Sequence, residues 1–206
     1  MGLPIILGWT LIFMLVVSWK RHKSNHSDPE IEFWERENAA NATRKQDISN
    51  LNYVDFTGVS LPFALFQDDF LQQCEKQVLK LKDEKILNLT GISNTELKLN
   101  YGAANLPLLT RYDQNFTLLV RTLNSWGHRL QELSHTEEAI TVLAFAVSVG
   151  SDMKSTYQLL AELYQQKGNT EALRSLQNSA ASLNSLMKEP VLAMLKKMDT
   201  PELPGN

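Results

Sequence analysis

The chain of 206 residues sets twenty Lys and Arg against twenty-three Asp and Glu, a net charge of −3, so no basic surplus speaks for a nucleic-acid partner. Its single cysteine, Cys74, excludes an intramolecular disulfide framework and suits a reducing compartment. With an apolar anchor and a polar linker set aside, about 150 residues remain, enough for one domain with a real core.

Leu3 to Trp19 (LPIILGWTLIFMLVVSW) carries no charge. Its seventeen residues reach roughly 25 Å as a helix, the short end of a bilayer span. Trp19 stands where an interfacial residue is expected. A secretory signal would place its basic residues before the apolar run, whereas Lys20, Arg21 and Lys23 follow it here. The expectation is an uncleaved single-pass anchor. The same charges place the C-terminal domain on the cytoplasmic side. Four glycosylation sequons, at Asn25, Asn41, Asn88 and Asn115, stand against that orientation and matter only in a glycosylating lumen.

Residues 20–50 balance six basic and six acidic residues, and the first basic cluster suits lipid headgroups at about 1 kcal/mol per residue when these are anionic. Asp28-Pro29 starts a helix, with Ile31, Phe33, Trp34 and Ala42 in an incomplete apolar stripe. Phe33 and Trp34 either meet a partner or the membrane surface, or pack back on the domain, which is the expectation. Ile48 to Val59 alternates like a strand without a partner and is expected to be a loop laid over helices. From Phe66 to Leu87 the pattern is helical, with Phe66, Phe70, Cys74, Val78 and Leu81 on one face and Gly91 after its C-terminus. Cys74 then reads as a small buried hydrophobe. Ser93-x-x-Glu96 matches a capping box opening a short helix toward Tyr101, broken by Gly102 to Pro107.

The next stretch repeats itself. Leu123-x-x-Trp126-Gly127-x-x-Leu130, then Ala139-x-x-x-Leu143 and Ala146, is followed by Tyr157-x-x-Leu160-Ala161-x-x-Tyr164, then Ala172-x-x-x-Leu176. Trp126 to Leu160 and Leu130 to Tyr164 are thirty-four apart, Ala139 to Ala172 thirty-three. Thr136, Asp152 and Thr170 are candidate helix starts, and Gly150 and Gly168 stand where left-handed C-terminal caps belong. Glu189-Pro190 opens a last amphipathic stretch through Val191, Leu192, Met194, Leu195 and Met198.

Small residues at helix crossings beside large ones, at this period, resemble the tetratricopeptide repeat. The resemblance covers about a third of the chain, with the second inter-helix turn one residue short of the family norm. It implies a protein-binding groove lined by the first helix of each repeat: Arg121, Asn124, His128 and Gln131 from one, Ser155, Gln158, Glu162 and Gln165 from the other. These polar, amide-rich side chains suit a peptide backbone. The carboxylate clamp of chaperone-binding members is not reproduced. Residues 60–109 could instead fill the groove.

No phosphate loop, nucleophile elbow, zinc pattern or HExxH is present in the sequence. His22 and His26 are four apart but lack further ligands. No catalytic, cofactor or metal site is expected.

The expected fold is all-α: a transmembrane anchor over 1–19, a juxtamembrane polar linker and helix over 20–50, a helical lead-in over 51–112, two repeats over 113–186, a C-terminal capping helix over 187–199 and a disordered tail over 200–206. The expected function is a scaffold that holds a protein or peptide at the membrane, touching lipid through residues 3–19. The alternative is a structural accessory subunit of a membrane complex.

Overall fold

The structure, a computed structural model, describes residues 14–18 and 29–199. Regular structure among them is helical, with only an isolated antiparallel bridge between Tyr53 and Leu87. The chain runs through α1 (Pro29–Ala42), α2 (Asp69–Lys82), α3 (Asn94–Tyr101), a 3-10 turn (Ala103–Asn105), α4 (Leu106–Glu132), α5 (Thr136–Ser148), α6 (Lys154–Gln166), α7 (Thr170–Ala181) and α8 (Lys188–Asp199). Among the described residues no helix is long and apolar enough to cross a membrane. Apart from 14–18, the predicted anchor lies outside the described residues, as do the basic cluster at 20–23, His22, His26, Asn25 and the tail from 200.

The centre of the molecule is α4 against α5, with α2 on one side of the pair and α6, α7 and α8 stacked on the other. On α4, Leu119, Leu123, Trp126, Gly127 and Leu130 are buried at helical spacing. A β-carbon on Gly127 would lie 2.5 Å from the Leu143 side chain of α5, so the missing side chain is what lets these helices approach. Ala139, Ala146 and Ala161 are likewise fully buried. Ends of the stack are covered by Leu71, Cys74, Val78 and Leu81 of α2, and by Val191 and Leu195 of α8. Exposing either apolar face would be costly at about 25 cal/mol per Å².

Three turns are closed alike. His135 N–H returns to the Leu130 carbonyl, Ser151 to Ala146 and Asn169 to Tyr164. The residue before each donor has positive φ: Ser134 at 63°, Gly150 at 90° and Gly168 at 67°. This is the left-handed helix stop that glycine accommodates best. Two helix starts fall where expected and the third, expected at Asp152, moves by two residues. α5 begins at Thr136 after His135, α6 at Lys154 after Met153, and α7 at Thr170 after Asn169, whose side chain accepts the Ala172 N–H at 3.0 Å.

Other boundaries also move. The first repeat helix does not begin near 113 but at Leu106, because Pro107 sits in its first turn, where a missing N–H costs nothing. α2 begins only at Asp69, since Asp68 caps it by accepting the Leu71 N–H. Its buried stripe therefore runs through Leu71, not Phe70, which is 45% exposed, and Phe66 lies outside the helix, stacked on His135 at 3.7 Å. Gly91 follows α2 by nine positions and belongs to the next loop. The capping box at Ser93 and Glu96 is formed in full. Ile48 to Val59 is irregular, as expected, and lays Phe56 against Phe145. Phe33 and Trp34 do not pack back on the domain; they meet edge to face, each 55% exposed. The α1 register explains this, since Ala40 is the buried residue of that helix.

Candidate binding site

The eight polar residues expected to line a groove are spread along α4 and α6, and three of them come together. Ser155 and Thr156, in the first turn of α6, each donate a hydroxyl hydrogen to Asn124 Oδ1 at 2.9 Å. Asn124 thereby ties α6 to α4. Next to this tie opens a hollow of about 510 Å³ lined by Asn124, Ser125, His128, Arg129, Ser155 and Phe70. His128 has a buried Nε2 with no hydrogen-bond partner among the described residues.

The remaining five are elsewhere. Arg121 is exposed. Gln131 Oε1 accepts from Thr136 Oγ1 at 3.1 Å, and Gln158 Nε2 donates to Glu162 Oε1 at 3.0 Å. Gln165 Nε2 donates to the Met198 carbonyl at 2.6 Å. The C-terminal helix thus occupies that end of the α6 face, and α2 brings Phe70 to the other.

Arg129 sets the charge of the hollow. Its Nη2 donates to Asp68 at 2.7 Å and its Nη1 to Glu132 at 3.0 Å. The hydrogen bond from Arg129, then the capped Leu71 N–H, hold the Asp68 carboxyl below the usual carboxylate range. Those two acids also raise the pKa of the guanidinium. With its cation committed, the hollow suits uncharged hydrogen-bonding groups better than a free carboxylate. Phe70, Ser125 and Arg129 were not among the residues read from sequence. Phe70 arrives from a separate helix, and Arg129 is fixed by an acid sixty-one positions away, a pairing no local spacing announces.

A larger cleft, of about 650 Å³, lies where residues 52–59 and 87–92 run over the C-terminal ends of α5 and α7. Tyr157 lines it, fully buried, and its hydroxyl has no partner among the described residues. Such a group costs about 1–3 kcal/mol when left unbonded. Burial, then the Asp152 carboxylate, push that hydroxyl up to about 12. The sequence gives no sign of this cleft, because two irregular loops build half of it.

Cys74 is buried on α2 and its thiol is pushed up to about 11, chiefly by burial, which keeps it protonated and unreactive at neutral pH. Among the described residues no group of His, Cys, Asp and Glu is placed to hold a metal ion. Compared with known protein families, with curated proteins and with solved structures, the chain matches none of them.

Proposed function

We propose that this protein is a scaffold built on two tetratricopeptide-like hairpins, α4–α5 and α6–α7, which holds a peptide or protein partner at a membrane through an anchor at residues 3–19. The observation that carries the reading is the hollow lined by Asn124, His128 and Ser155, whose His128 keeps a buried imidazole nitrogen without a partner among the described residues. These are groups that recognise a peptide backbone. The exposed Phe33–Trp34 pair supports the membrane half, since aromatic residues shortly after an anchor favour the interface. A cytoplasmic domain is the orientation that the basic residues at 20–23 favour. Asn88 and Asn115 donate their side-chain amides to the Gly150 and Lys85 carbonyls, an arrangement that gains nothing from a glycan.

A second reading, an accessory subunit whose groove is closed by its own chain, is favoured by the Gln165–Met198 bond. Photo-crosslinking separates the two. A crosslinking residue at Ser125 of the full chain in its native cells should give one discrete adduct in the carbonate-resistant membrane fraction. The same residue at exposed Arg174 should give none. Equal labelling from both positions, or none from Ser125, would remove the scaffold reading.

A further inference from the structure

The Tyr157 hydroxyl is not explained by packing. Thirty-four residues earlier, the same repeat slot holds Leu123, equally buried and without a hydroxyl, so the slot needs bulk and no polar tip. In α6 that tip is buried and unbonded, on a residue that lines the 650 Å³ cleft, a size typical of ligand pockets. The walls around it are pinned. Asn88 accepts the Thr90 N–H at 3.0 Å and donates to the Gly150 carbonyl at 3.2 Å, and Asn184 donates to the Thr90 carbonyl at 3.4 Å.

The charge of the cleft selects among ligands. Asp55 and Asp152 line it and no Lys, Arg or His does. The Asp55 carboxylate is used by the Thr57 amide and hydroxyl. Asp152 accepts no hydrogen bond among the described residues while its field reaches the Tyr157 hydroxyl. Phosphates and carboxylates would meet two acids and neutral hydroxyl and amide groups here, with the nearby Lys85 ammonium engaged over the Tyr53 ring at 4.7 Å. A cation with a neighbouring neutral acceptor meets what both groups lack.

We propose that the cleft binds a peptide segment bearing a Lys or Arg. A backbone carbonyl accepts from the Tyr157 hydroxyl, and the basic side chain lies against Asp152. A free basic amino acid fits less well, because its own carboxylate would face the acidic wall.

The test uses the full-length protein in mild detergent and the probe acetyl-Gly-Lys-Gly-amide, followed by the side-chain amide resonances of Asn88 and Asn184. Saturable shifts at millimolar probe are expected, weakened about tenfold by Tyr157→Phe, by Asp152→Asn, and when norleucine replaces the probe lysine. Tyr157→Phe should melt at or above the parent temperature, since it removes an unbonded hydroxyl. Absence of shifts overturns the proposal. So does equal binding by the Phe variant, by the norleucine probe or by free lysine. A lower melting temperature for Tyr157→Phe would give the hydroxyl a structural role and overturn it too.

Discussion

At the scale of single residues, the molecule is decided where two helices have no room. Gly127 lies mid-helix, where alanine ordinarily gains about 1 kcal/mol over glycine from propensity. Here the added β-carbon would stand 2.5 Å from both Leu143 Cγ and Cδ2, and Leu143 is itself fully buried, so it cannot swing into solvent. Overpacking of this kind costs about 1–3 kcal/mol, which exceeds the gain. Gly127→Ala should therefore lower stability by about 1 kcal/mol or more in chemical denaturation. A variant as stable as the parent would show that α4 and α5 can slide apart cheaply.

At the scale of elements, three stops share one hydrogen-bond pattern but not one residue type. Gly150 and Gly168 hold the left-handed position in two of them, Ser134 in the third. Since a side chain in that conformation costs about 1 kcal/mol, Ser134→Gly should raise the unfolding free energy by that amount in chemical denaturation. The Ser134 side chain is exposed, so little packing is lost. A drop would mean the serine hydroxyl matters to the turn. The two glycines made their stops legible in sequence, and the serine hid the first. Legibility follows the same rule throughout. Leu123, Trp126, Leu130, Leu143, Leu160 and Leu176, all buried, declare themselves by period because a helix repeats. Phe70 was misplaced because its spacing to Cys74 is helical, yet it sits in the first turn of α2, where Leu71 is covered and Phe70 is not. The cleft at Tyr157 stayed hidden because loops have no period at all. On the α4 and α6 faces, spacing found Asn124 but not that it is already bonded to Ser155 and Thr156.

At the scale of the whole molecule, the question is how the helical stack is joined to whatever precedes it. Toward its C-terminal end α1 is fastened to α3. Ala40 is buried, and Lys98 of α3, 8% exposed, donates to Glu37 and Asn41 while Thr95 Oγ1 donates to Glu37 at 2.7 Å. Arg36 adds only an exposed pair with Glu96 at 4.0 Å, which contributes little. If force or tilt reaches the domain from a membrane anchor, it meets this polar clasp before the bonds that tie Gln46 to Tyr101 and Asn105. Lys98→Met keeps the buried stem but leaves Glu37 and Asn41 without their cation. Losing a charged hydrogen bond costs about 1.5–3 kcal/mol, so amide exchange across α1 should quicken about tenfold or more. Exchange in α4 to α7 should stay as slow as in the parent, since their core does not include Lys98. Unchanged protection of α1 would mean that contacts other than the Lys98 bonds hold the helix; faster exchange everywhere would mean that α1 and α3 belong to one cooperative unit with the stack.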